Sequence, residues 1–264
     1  MRKILFIIFI LFLILPQFAG AVTQTFLTRG QMPGAANSFV TSSTSPSSDK
    51  LVLLFISNTT AGADTNPTVT GNGMTWVRVL ASNDSDGNGA LSVFRAMNTT
   101  STPSTGAITV TFSGSQTRAA WTLSEFGNVD LTGTNGSGAV VQSSTLQIDT
   151  GSTSLIASTT LLAFASTNNA IYGQVYAENT GAGSTAIASF NGLTEITNQD
   201  LKSPASAIRM QDQWQATATT TSVWSITNIN GAQTIVGALE IKHTTTTVAS
   251  VVISKKRMVA FFDD

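Results

Sequence analysis

The sequence predicts an all-β protein, an antiparallel β-sandwich, on three observations. Charged side chains make up 10% of the 264 residues and hydrophobic ones 42%. With Thr, Ser, Asn and Gly abundant, that balance suits short strands with uncharged polar faces and glycine-rich turns; a disordered chain would carry more charge and fewer β-branched residues. Apolar or alternating runs recur between clusters of Gly, Asn, Ser and Pro, the spacing of a sandwich or barrel. Beyond the N-terminal leader, no window shows competing helical periodicity.

The leader comes first. Arg2 and Lys3 precede an apolar run from Ile4 to Leu15, a breaker at Pro16 and the small residues Ala19, Gly20 and Ala21. This is the layout of a secretory signal occupying residues 1–21 and cleaved after Ala21, which places the mature chain outside the cell or on its surface. The run is short of the ~20 residues that cross a bilayer, so no span is expected in the mature chain. The chain has no cysteine, which excludes a lipoprotein anchor and disulfides; a mature chain of roughly 240 residues can bury a core without them. Of 13 basic side chains two lie in the leader, leaving 11 against 14 acidic ones. A net charge near −3 is no footprint for nucleic acid.

The strands follow in two sets. The first is "KLVLLFIS" from Lys50, "GMTWVRVLAS" from Gly73, "ALSVFRAM" from Ala90, "AITVTFS" from Ala107 and "RAAWTLSEF" from Arg118. The second is "TLLAFAS" from Thr160, "AIYGQVYAE" from Ala170, "AIRMQDQWQ" from Ala207, "TSVWSITN" from Thr221 and "TIVGALEIKH" from Thr234. In "LVLLFI" both parities are apolar, as in a central strand covered on both faces. In "AIRMQDQWQ" the residues Ile208, Met210 and Trp214 share one side, while Arg209, Gln211, Gln213 and Gln215 are expected to meet water on the other. Trp76, Trp121 and Trp224 read as core.

The sets resemble each other in order. "LLFIS" pairs with "LLAFAS", "GNGMT" with "FNGLT", "ITVTFSGSQ" with "WSITNINGAQ" and "WTLSEF" with "VGALEI", which sets Glu125 against Glu240. Two readings stay open, an internal repeat and the ordinary likeness of strands punctuated by glycine. Either way residues 22–243 read as one domain, because neither half has enough long strands to close a sandwich comfortably alone.

The segments "SSDKLVLLFIS", "GNGMTWVRV", "LSVFRAMN", "ITVTFSG" and "WTLSEFGNVD", with "GALEIKH" closing the second half, resemble the extracellular jelly-roll-like, lectin-like modules of bacterial and phage-associated surface proteins. The resemblance runs from Val22 to His243. It implies a sandwich of jelly-roll type and a role in binding, adhesion or display rather than catalysis.

Catalytic equipment is sparse. His243 is the single histidine, so a Ser/His/Asp arrangement would rest on it alone, and zinc sites need His or Cys clusters that are lacking. Glu125 and Glu240 are the one symmetric carboxylate pair a glycosidase could use, but they read more simply as solvent-facing residues on equivalent strands. No catalytic residue and no obligate cofactor are expected. A candidate calcium loop is "NDSDGNGAL": Asp84, Asp86 and Asn88 supply hard oxygens around a glycine bend. Where an EF-hand places a bidentate Glu stands Arg95, so the alternatives are a partial calcium site and an ordinary polar hairpin tip.

For ligand binding the candidates are Tyr172, Gln174 and Tyr176 of "IYGQVYAE", which share one strand face. Two rings beside an amide can stack on a sugar and hydrogen-bond its hydroxyls; the plainer alternative is that both tyrosines border the core with wet hydroxyls. Residues 244–264 form a Thr-rich linker and a tail whose "VASVVIS" has strand composition. It could fold back on its own sandwich, serve as a sorting signal or add to another subunit's sheet edge. The expected function is therefore a secreted surface module that binds carbohydrate or another surface polymer, with structural self-assembly through sheet edges and the tail as the alternative.

Overall fold

The computed structural model describes residues 20–32, 34–149, 154–179, 186–189, 191–201, 207–227 and 233–244. The leader to residue 19 and the tail from residue 245 onward lie outside them. The described residues form sixteen strands. The first eight are β1 (Thr23–Met32), β2 (Ala36–Val40), β3 (Leu51–Thr59), β4 (Thr68–Gly71), β5 (Val77–Asn83), β6 (Gly89–Ala96), β7 (Ile108–Gln116) and β8 (Arg118–Gly127). The second eight are β9 (Val140–Asp149), β10 (Ser154–Thr160), β11 (Ala170–Asn179), β12 (Ala186–Ser189), β13 (Thr194–Leu201), β14 (Ala207–Ala216), β15 (Thr221–Thr227) and β16 (Gln233–Ile241).

All pairings between these strands are antiparallel, and they make four sheets. The first half builds β1-β8-β3-β6-β5 and β2-β7-β4. Adding eight to each label gives the other two sheets, β9-β16-β11-β14-β13 and β10-β15-β12. The chain thus repeats one eight-strand unit. Irregularities repeat as well: the register shifts between Arg78 and Leu80 in β5 and between Glu195 and Thr197 in β13. Glu125 faces Val52, and Glu240 faces Ile171 at the matching place.

Three of the four sequence pairings follow this correspondence. The exception is "LLFIS", which lies in β3 and corresponds to β11, whereas "LLAFAS" leaves β10 as a connection outside any strand.

The two large sheets pack face to face, with β5 over β9 and β1 over β13, and each small sheet covers the outer face of its own large one. Side-chain alternation explains the layering. Leu51, Leu53 and Phe55 point into the central core shared by both halves, while Val52, Leu54 and Ile56 point to the first small sheet. All nine residues of β3 are buried, as a strand covered on both faces requires.

Each half therefore closes a small sandwich of its own, contrary to the single sandwich expected. The shared central core still makes the halves one folded body. A second correction concerns β14, where Gln211 and Gln213 are fully buried rather than wet, Gln213 Nε2 donating to Ser222 Oγ at 2.9 Å.

The repeated units fill their cores differently. Where the first large sheet carries Leu54, the second carries Gly173, each facing the matching residue of its neighbour strand. A Cβ on Gly173 would stand 2.8 Å from the Trp224 ring and 2.0 Å from Ser222 Oγ. The bulk has moved from the large sheet to the small one. Between the large sheets, Thr122 and Thr197 share a hydrogen bond of 2.7 Å, whereas the matching positions, Gly237 and Leu80, meet as an apolar contact.

Candidate functional site

Tyr172, Gln174 and Tyr176 do lie on one face of β11, but that face is the central core, and all three are fully buried. They do not form the open sugar-stacking surface that alternation suggested. Tyr172 packs edge-on against Phe126 with ring centroids 5.4 Å apart, and its hydroxyl donates to Asp212 Oδ2 at 2.8 Å. Asp212 also accepts from the Thr197 N–H at 3.1 Å and the Thr197 hydroxyl at 2.6 Å. Burial pushes this carboxyl up to about 6, against the pull of the Thr197 and Tyr172 donors. Burial and the neighbouring Asp212 raise the Tyr172 phenol well above its ordinary range. Gln174 Nε2 donates to the Tyr172 carbonyl at 2.8 Å. This group is a hydrogen-bonded polar seam inside the core.

Tyr176 links that seam to the candidate calcium loop. A Cβ on Gly89 would come within 2.1 Å of the Tyr176 hydroxyl and 2.3 Å of Asp84 Oδ2. Asp84 is buried, and burial lifts its carboxyl to about 6, with a further push from Asp86. Asp86 lies at the tip. Against the upward push of burial, hydrogen bonds from Asn88 hold it below the usual carboxylate range, its Oδ1 accepting the Asn88 N–H at 2.9 Å. The Gly87 N–H closes the turn on the Asp84 carbonyl at 3.2 Å.

Asp84 and Asp86 therefore meet, while Asn88 engages Asp86 through both its backbone N–H and its side chain. Among the described residues no group of three or more His, Cys, Asp or Glu is placed to hold a metal ion. The hairpin tip docks on the second half. Ser85 Oγ donates to Asp149 Oδ2 at 2.9 Å, and the Asp86 N–H donates to Gln233 Oε1 at 3.1 Å.

A cleft of about 760 Å³ lies elsewhere, at the end of the second half. At its wall is Glu240, buried rather than solvent-facing as the sequence suggested. One carboxyl oxygen accepts from Asn169 Nδ2 at 2.6 Å and the other from Gln142 Nε2 at 2.6 Å. Gln142 is fixed in turn by Leu162, whose N–H donates to Gln142 Oε1 at 2.9 Å and whose carbonyl accepts from Nε2 at 3.1 Å.

Asn169 Oδ1 takes the His243 N–H at 3.1 Å and lies 3.3 Å from His243 Nδ1. Lys242 lines the cleft but pairs with Asp130 at 2.7 Å. Burial raises Asp130, and the Lys242 and Thr132 contacts more than offset it, holding the carboxyl at about 2. The rim is apolar: Leu162 is 79% and Val141 53% exposed.

The first half shows what the cleft departs from. Glu125 is bound by Lys50 Nζ at 2.9 Å and by the Ser47 N–H and hydroxyl at 2.9 and 3.2 Å. Lys50 and Asn169 each stand directly before the equivalent strands β3 and β11. The same structural carboxyl thus has a cation and a covering loop in one half, and two carboxamides and an open cleft in the other. Sequence reasoning found Glu240 and missed Gln142, Asn169 and Leu162. Setting the halves on Glu125 and Glu240 and reading back to the residue before β3 and β11 would have exposed the Lys-to-Asn difference.

No protein-family model matches the chain, and no curated protein or solved structure shows significant similarity to it.

Proposed function

We propose that this chain is a secreted, non-catalytic surface module that binds carbohydrate, and that the cleft at Glu240 is its binding site. The observation that carries the reading is a buried carboxyl that no cation among the described residues pairs with, held by Asn169 and Gln142 beside an apolar rim. Carboxyl and carboxamide groups hydrogen-bond hydroxyls in fixed directions, and a surface such as Leu162 and Val141 packs on the C–H face of a sugar ring. Binding rather than hydrolysis is favoured because Glu240 is the one carboxylate among the described residues lining the cleft, whereas glycosidases work with a pair. The jelly-roll type of each half is supported by the orders 1-8-3-6 and 2-7-4, with the fifth strand joined to the larger sheet.

The test is a glycan array probed with the full-length chain from a secreting host, in calcium and in chelator. Glu240→Ala should lower affinity at least tenfold for any glycan bound, since it leaves two amide donors without their acceptor. Unchanged binding in that variant would move the site elsewhere. Loss of binding in chelator alone would assign a calcium role to Asp84 and Asp86.

A second reading, assembly through sheet edges and the C-terminal tail, is favoured by β9. Among the described residues this ten-residue strand pairs only with β16; it contains no Lys, Arg or Pro, and exposes Val141 and Leu146. Such an edge invites strand addition. On that reading light scattering shows a dimer or larger species that Leu146→Lys returns to a monomer; a monomeric wild type sinks it.

A further inference from the structure

A second, smaller recess of about 250 Å³ adjoins the Glu240 cleft, and the two share Val140, Val141 and Gln142 in their walls. Arg95 of β6 lines it. This residue occupies the place that Trp214 takes in the repeat, each facing the matching residue of the central strand, Leu53 or Tyr172. Trp214 packs edge-on against Phe126 with centroids 6.1 Å apart. The same position in the first half is a half-buried guanidinium.

Arg95 Nε donates to the Asn135 carbonyl at 3.2 Å, and among the described residues no carboxylate pairs with the side chain. Arg78, which also borders the recess, donates from Nη1 to the Thr65 carbonyl at 2.9 Å. Burial lowers the Arg95 pKa from its ordinary value, yet a guanidinium stays protonated at any physiological pH. A partly desolvated cation without a counter-charge is costly to keep unless something supplies one. The planar fork beyond Nε suits a carboxylate or a sulfate, both of which accept two parallel N–H bonds.

We propose that Arg95 forms an anion subsite beside the Glu240 cleft, and that the ligand class is an anionic polysaccharide, one sugar lying at Glu240 and the acidic group of a neighbouring unit at Arg95. This rests on the carbohydrate reading of the Glu240 cleft and adds the charge of the ligand to it. Carboxylated and sulfated sugars share the required chemistry, so the probes must separate them.

The experiment measures binding of the full-length chain to polygalacturonate, dextran sulfate and neutral dextran at physiological salt, for wild type, Arg95→Gln, Arg95→Lys and Glu240→Ala. Wild type should prefer one or both anionic polymers over dextran about tenfold or more, by the strength of a charge-assisted pair. Preference for one anionic polymer over the other identifies carboxylate or sulfate as the group held. Arg95→Gln should erase the preference while leaving dextran binding unchanged, and Arg95→Lys should keep part of it. Far-UV circular dichroism and thermal melting of each variant separate lost contacts from lost folding.

Two results overturn the subsite: equal binding of charged and neutral polymers by wild type, or an undiminished preference in folded Arg95→Gln. If dextran still binds in a Glu240-dependent way, only the subsite falls. Failure of all three polymers to bind removes the subsite together with the carbohydrate reading beneath it.

Discussion

Replacing Trp224 by alanine should lower the unfolding free energy by about 3–5 kcal/mol, the largest loss expected of any single truncation in the second half. The side chain is fully buried between the small and large sheets, among Ala157, Val175, Ile187 and Val236. Its removal leaves a cavity whose lining, fixed in two hydrogen-bonded sheets, collapses into it only in part. Gly173→Leu, which installs the first half's residue, should cost about 1–3 kcal/mol or more, because the new side chain meets the indole and Ser222 in a closed space.

The informative variant is the double one. If the bulk at this point was exchanged between sheets, Gly173→Leu with Trp224→Ala should be more stable than the sum of the singles predicts, by about 1–3 kcal/mol in urea unfolding. Strict additivity would mean that the two positions fill separate spaces.

The second large effect is on pH dependence. Asp212 has its carboxyl lifted to about 6 from 3.8, first by burial, so the folded chain holds its proton at pH values where the unfolded chain has lost it. A raised carboxyl pKa means that stability is highest below about pH 4 and is lost as pH rises through about 6, by roughly 3 kcal/mol at most. Asp84, raised to about 6 by burial and by Asp86, acts in the same direction.

Asp212→Asn keeps an acceptor for the two Thr197 donors and lets the amide donate to the Tyr172 oxygen once that hydroxyl turns. The variant should equal or exceed wild type in denaturant midpoint at pH 7 and show a shallower decline between pH 4 and 7, Asp84 supplying what remains. An unchanged slope would relocate the titrating group.

Much of the fold was legible because "LVLLFI" states its own environment: apolar residues at both parities need cover on both faces. The strands that were not read are those with one face in water. "TQTFLTRGQM" of β1 and "VVQSSTLQID" of β9 have no apolar run, and their ladders come from the edges of large sheets. Parity correctly grouped Tyr172, Gln174 and Tyr176, but parity cannot say what covers a face. Here a second sheet does, which only the repeat's packing supplies. Glu240 was visible through its likeness to Glu125. Gln142 lies 98 and Asn169 71 positions from it in the chain, and both reach it through β16, whose neighbours in the sheet are β9 and β11.

The packing of the two large sheets has a consequence for valency. Two identical eight-strand units related in this way would form a two-fold dimer, and symmetry would oblige it to carry every surface feature twice. Covalent fusion removes that obligation. With Lys50 and Ser47 closing one copy and Asn169 leaving the other open, the described residues place an open cleft at Glu240 and a covered carboxyl at Glu125. On the proposed carbohydrate reading, a ligand at Glu240 is held once per molecule, and firm attachment to a repetitive polymer would come from many chains arrayed side by side rather than from the two halves of one.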